Sequence, residues 1–152
     1  MNFLDSFFEP YADIALLILR VIVGVIFIFH GLMKASSETG GLRGYSQMLS
    51  QMMKLPPSIA TIIGYWHGLV EIVGGALTVL GLFTRLWMLP FGLIMLLAIF
   101  TFKIPNKDIH FLAGQGETTG WELDLVLLGA IFVLLTAGPG SINLNSLLGI
   151  SL

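Results

Sequence analysis

Two charged residues sit inside long apolar runs, where a charge needs a partner or a purpose: Arg20 in residues 14–33 and Glu71 in residues 59–82. A charged side chain at the centre of a hydrocarbon layer costs about 2.5–3.5 kcal/mol on insertion scales. Rising about 1.5 Å per residue from the ends that face their shared loop, Glu71 comes out roughly 18 Å deep and Arg20 roughly 20 Å deep. Those similar depths predict an Arg20–Glu71 ion pair, or a Glu71 neutralised by desolvation. His67 lies one helical turn before Glu71 and shares its face. A His-x-x-x-Glu spacing suits a proton relay, a metal ligand pair, or a hydrogen bond that satisfies the imidazole. With no further ligands converging in the sequence, no metal site is assigned. His67 and Glu71 are the candidate catalytic pair.

A second polar set gathers near helix ends. His30 and Lys34 share a face where the first run ends, and the negative end of a helix dipole accounts for Lys34 by itself. Thr119-Gly-Trp-Glu122 has the form of a capping box, and Asp124 adds an acid in the same first turn. Alternating helices bring His30, Lys34, His110, Glu122 and Asp124 to one end as a polar mouth.

The elements that hold these residues follow from composition. Of 152 residues, 56% are hydrophobic and 11% charged, and the mean hydropathy is +0.93, far from the roughly one-quarter charged norm of soluble domains. Four runs, residues 14–33, 59–82, 86–102 and 121–137, reach or approach the ~20 residues that cross ~30 Å of hydrocarbon. The fold class is therefore all-α: one integral membrane four-helix bundle over residues 1–152. The third and fourth runs are short, Pro90 is expected to kink the third near its start, and only Phe83-Thr84-Arg85 separates the second from the third. Leu42, Tyr45, Met48, Leu49, Met52 and Met53 mark an amphipathic helix at the interface of the first loop, ended by Pro56-Pro57. Ala60, Gly64 and Gly68, with Gly74-Gly75 beyond, form a small-residue surface for close helix packing.

Lys34, Arg43, Lys54, Lys103 and Lys107 fall on one side and Arg85 alone on the other, so both termini are expected outside and the longer loops in the cytoplasm. The acidic N-terminus lacks a leader's positive region, and the first run reads as a retained helix. Seven basic against nine acidic residues leave no phosphate-tracking surface, and nucleic acid is not an expected partner. The absence of cysteine excludes thiolate, disulfide and iron–sulfur chemistry by this chain. Phosphate-binding loops, dinucleotide fingerprints and nucleophile elbows are also absent from the sequence.

LLILRVIVGVIFIFHGLMK in the first run, GLVEIVGGALTVLGLFTR in the second and GPGSINLNSLL from Gly138 together resemble the DoxX family of small prokaryotic membrane proteins. The resemblance covers nearly the whole chain. It implies a four-helix protein of the cytoplasmic (inner) membrane, and it maps recurring polar positions onto Arg20, His30, Glu71, Arg85, His110 and Glu122. Ser141 and Asn145 depart from the family's common Arg and Asp. The family takes its name from a subunit of a quinone-reducing enzyme, which implies a membrane subunit of a quinone-linked or redox-associated oxidoreductase. Its cofactor would be a quinone, and its partners a soluble or membrane redox protein and the lipid bilayer. Arg20, His30, His67, Glu71, His110 and Glu122 are the candidate cofactor-binding residues. Two other functions fit the same residues: a small-solute or proton transporter working as a homo-oligomer, and a non-catalytic scaffold for soluble enzymes.

Overall fold

A computed structural model describes residues 3–36, 40–107, 109–112 and 120–150, apart from the Asp5 side chain. In chain order it contains α1 (Phe3–Phe8), a 3-10 turn (Glu9–Tyr11), α2 (Ala12–Ala35), α3 (Gly41–Met53), α4 (Pro57–Leu80), α5 (Thr84–Leu97) continued by a π-helical turn (Ala98–Lys103), α6 (Glu122–Ala137) and α7 (Leu144–Leu147). Among the described residues the fold is all-helical. Among the described residues three helices are long and apolar enough to cross a membrane: Ser6–Ala35, Pro57–Leu80 and Thr84–Lys103. The third expected run thus reaches spanning length because the π turn extends it, and it continues through Pro90. The fourth, α6, has 16 residues, about 24 Å at 1.5 Å per residue.

Leu, Ile and Val dominate α2, with Asp13 in its first turn and Lys34 in its last, the placement the helix dipole favours. Ile14, Ile18, Ile22, Val25 and Phe29 form one exposed stripe on it, and Leu86, Leu89, Leu93 and Leu96 form another on α5. Stripes of that length would be untenable in water, and hydrocarbon is the solvent that accepts them. The chain is a membrane protein in contact with the bilayer.

Glycines set the register between α2 and the antiparallel α4. A Cβ on Gly24 would lie 2.6 Å from the carbonyl oxygen of Gly75, and one on Gly31 would lie 2.9 Å from that of Gly68. Backbones approach that closely only where side chains are missing. Gly74 receives Trp87 and Phe91 of α5, and Gly64 receives Leu42, Tyr45 and Ser46 of α3. The small-residue surface expected from the sequence is therefore a packing surface on three sides. Pairing 24 with 75 and 31 with 68 makes α4 overhang α2 by about two turns, and α3 packs along that overhang.

The α4–α5 connection closes with a Schellman motif. Leu82 N–H donates to Leu77 O (2.8 Å) and Gly81 N–H to Thr78 O (3.0 Å), with Gly81 at φ 73°. This ends α4 two residues earlier than the hydropathy limit and starts α5 at Thr84. At the centre, the Phe27 and Phe91 rings stack with centroids 3.8 Å apart, surrounded by Val23, Met88, Met95, Leu127, Ile131 and Leu134. α6 packs on both α5 and α2.

Candidate functional site

Glu71 is 1% exposed, and its carboxylate is held from two directions. Lys34 Nζ, from the last turn of α2, donates to Oε2 at 2.5 Å. His67 Nε2, one turn back on α4, lies 3.3 Å from Oε1, in ion-pair range though turned off the ideal hydrogen-bond line. On the far side of the imidazole, the Tyr45 hydroxyl of α3 bonds to Nδ1. Burial, reinforced by the Glu71 charge, raises the Tyr45 phenol above its ordinary value. The phenol therefore keeps its proton; in the imidazole tautomer protonated at Nε2 it donates to Nδ1, and the Nε2–H lies on the carboxylate side. The Tyr45 ring is edge-on to His67, and Lys34 Nζ sits 5.0 Å from its centroid, a cation–π distance.

The result is one polar chain, phenol to imidazole to carboxylate to ammonium, drawn from α3, α4 and α2. Two of its three links are hydrogen bonds, and the third, His67 to Glu71, is an ion-pair contact. Ser46 lies beside it, its hydroxyl buried and without a hydrogen-bond partner, and lines a cavity of about 430 Å³ with Arg43, Gln47, Ser50, Gln51 and Thr61. The described residues contain no group of three His, Asp or Glu side chains placed to hold a metal.

The expected Arg20–Glu71 pair does not form. The depth estimate assumed that the two runs start at one level, whereas the glycine register sets α4 beyond the end of α2. Glu71 therefore lies opposite residue 28, and Lys34 reaches it. Arg20 lies at the other end, buried to 3%, with Nη1 donating to Pro139 O at 2.7 Å. Among the described residues it has no carboxylate within 4.0 Å.

The members of the polar mouth take separate partners. His30 is exposed and bonds through Nδ1 to Ile26 O of its own helix (2.8 Å), and His110 is exposed. Asp124 pairs with Lys103 at 2.5 Å, and that lysine also donates to Gly120 O at 3.2 Å. Glu122 donates its amide to Phe111 O (3.1 Å), while Thr119 lies outside the described residues. Of the expected site residues, the structure joins His67 to Glu71 and keeps Arg20, His30, His110 and Glu122 apart from them. Sequence reasoning missed Tyr45 and Lys34 as their partners. The signal for Lys34 was the seven-residue glycine spacing on both helices, 24 and 31 against 68 and 75, which fixes the register.

The model of the DoxX family matches residues 15–104, well over half of the chain and all of the polar chain's members. A Bacillus subtilis (strain 168) protein named "Putative oxidoreductase CatD" is 37% identical over 92 residues, which are 60% of this chain and 62% of that protein's length. "Uncharacterized membrane protein Rv3486" of Mycobacterium tuberculosis (strain ATCC 25618 / H37Rv) is 29% identical over 133 residues, 84% of this chain and 77% of the relative. No solved structure matches.

Proposed function

This chain belongs to the DoxX family, and from that premise we propose that it is the membrane-embedded subunit of a quinone-linked redox system. The observation that carries the reading is the polar chain Tyr45–His67–Glu71–Lys34, two hydrogen bonds and one ion-pair contact centred on the buried Glu71, set among helices whose outer faces are otherwise apolar. Reducing a quinone to a quinol takes two electrons and two protons. The electrons come from a partner redox protein, since a chain without cysteine has no thiol pair to offer. The protons come through residues that this chain supplies.

In this reading His67 is the group that gives up a proton, because imidazole has two ring nitrogens that can each hold one and it stands between the phenol and the carboxylate. Water replaces that proton, Tyr45 keeps its own and holds the ring at Nδ1, and Glu71 fixes the ring's orientation and stabilises its cationic form, with Lys34 fixing the carboxylate. The cavity at Ser46 gives water access to the α3 side of the chain. α6 completes a four-helix bundle as its short fourth span, α3 lies at the interface, and the side carrying Lys34, Lys103 and Lys107 faces the cytoplasm of a prokaryotic cell. A relative named as an oxidoreductase supports this assignment over transport or scaffolding.

The test is to purify the chain in mild detergent from its own membranes and to extract and identify what remains bound, for wild type, Glu71→Gln and His67→Gln. Folding of each is checked by circular dichroism. Quinone retained by wild type and lost from both folded variants is the expected result. An absence of quinone from every sample, or equal retention in all three, would overturn the reading.

A further inference from the structure

At the opposite end of the molecule from the Glu71 chain lies a cavity of about 640 Å³, within the range of small-molecule sites. Its floor is the first turn of α5. Thr84, Arg85 and Leu86 line it, and Phe83, which precedes them, provides no side-chain cap. The opening amides of a 14-residue helix therefore point their N–H groups outward without intrahelical acceptors, and the dipole makes that spot positive.

A helix end alone is common, but a second feature points to a ligand. Thr84 is 1% exposed, it lines the cavity, and its hydroxyl has no hydrogen-bond partner. A buried hydroxyl left unmatched costs about 1–3 kcal/mol, a loss that an acceptor in the cavity would remove. Arg85 adds an exposed guanidinium whose Nη2 donates to Thr136 O at 3.2 Å. Asn145 Oδ1 accepts from Phe83 N–H (3.4 Å), which leaves its amide N–H groups for something else.

The lining carries one charge of each sign, and its carboxylate is already engaged. Asp13 also lines the cavity, yet both its oxygens are occupied, by Ser141 N–H at 2.9 Å and Ser141 O–H at 2.5 Å. Arg20, bonded to the cavity-lining Pro139, has no carboxylate partner among the described residues. In the lining itself Arg85 and Asp13 balance, and Arg20, which stands behind Pro139 outside the lining, adds a positive charge from the second layer. Leu86 and Leu89, both more than half exposed, continue one wall outward along the face that meets lipid.

We propose that this cavity binds a phosphate-class oxyanion, seated on the α5 N-terminus by Thr84, Arg85 and Asn145. The leucine wall has room for an acyl chain, so an anionic lipid headgroup and a free phosphate meet the same donors.

The test uses the full chain in nanodiscs of phosphatidylcholine mixed with phosphatidylglycerol. Retained lipid is counted by native mass spectrometry, and thermal unfolding in detergent is followed with and without inorganic phosphate. Wild type should enrich phosphatidylglycerol, Arg85→Gln should lower that enrichment about tenfold, as loss of a charge-assisted bond implies, and Lys107→Gln at the other end should leave it unchanged. Thr84→Val, nearly identical in shape, should lower it too and keeps the test open if Arg85→Gln fails to fold. If the two lipids are retained alike but phosphate raises the melting temperature of wild type and not of Arg85→Gln, the oxyanion site stands and its occupant is the free anion. Equal lipid retention with no phosphate effect overturns the proposal.

Discussion

Replacing Lys34 with Met leaves the Glu71 carboxylate, 1% exposed, with His67 at 3.3 Å as its remaining counter-group. Breaking one side of a buried ion pair destabilises by about 3–5 kcal/mol when the other charge cannot escape. A carboxyl of ordinary acidity can escape by taking up a proton, which at pH 7 costs about 3.7 kcal/mol, so the loss has a ceiling near that figure. His67 offsets part of it, and the expected destabilisation of Lys34→Met is about 3 kcal/mol. Glu71→Gln is milder, about 1–2 kcal/mol, because Lys34 is 15% exposed at a helix end and can turn its ammonium toward water. In the double variant neither charge remains, so its loss should fall short of the sum of the two single losses by about 1–3 kcal/mol. Reversible unfolding of the reconstituted protein by a denaturing detergent, followed by tryptophan fluorescence, measures all four corners of the cycle. Additivity within about 0.5 kcal/mol would refute the direct Lys34–Glu71 pairing.

The glycine register makes a paired prediction: Gly75→Ala drives a Cβ to 2.6 Å from Gly24 O and should cost about 1–3 kcal/mol in the same unfolding assay. Gly129→Ala, where a Cβ meets nothing within 4 Å, should be neutral or stabilising by up to about 1 kcal/mol. The raised Tyr45 phenol predicts an ionisation step above the ordinary phenol range in an alkaline absorbance titration, and Tyr45→Phe should remove that step. Because the folded state holds that proton more tightly, the stability it contributes is intact below the ordinary phenol value of about 10 and is lost as pH climbs above it. Tyr45→Phe should therefore flatten the alkaline limb of the stability curve.

Hydropathy made the spans legible, because a helix in lipid must satisfy its own backbone and show apolar side chains all along one face, and α2, α4 and α5 do both. The amphipathic pattern of α3 was equally readable, as was the contact of His67 with Glu71, since an i,i+4 spacing is a property of one helix. What could not be read from single helices was how they slide past each other. Lys34 on α2 and Tyr45 on α3 reach the His67–Glu71 pair only through tertiary packing, and the Arg20–Glu71 pairing failed because a level start was assumed for two helices offset by about two turns. Lys103 was missed as the partner of Asp124 for a related reason: the π turn over Ala98–Lys103 carries it one helical end further than a hydropathy boundary at residue 102 allows. The tail was harder still, since Ser141, Asn143 and Asn145 act through bonds to Asp13, Gly140 and Phe83 that no local spacing encodes.

The central claim, that the Tyr45–His67–Glu71–Lys34 chain protonates a bound quinone, is tested most directly by redox-difference infrared spectroscopy on the quinone-loaded protein, with an electrode supplying the electrons. The account predicts imidazole and carboxylate bands that accompany the quinone-to-quinol change, with the imidazole band absent from His67→Gln and the carboxylate band absent from Glu71→Gln. A spectrum containing quinone bands alone, identical in wild type and both variants, would contradict it.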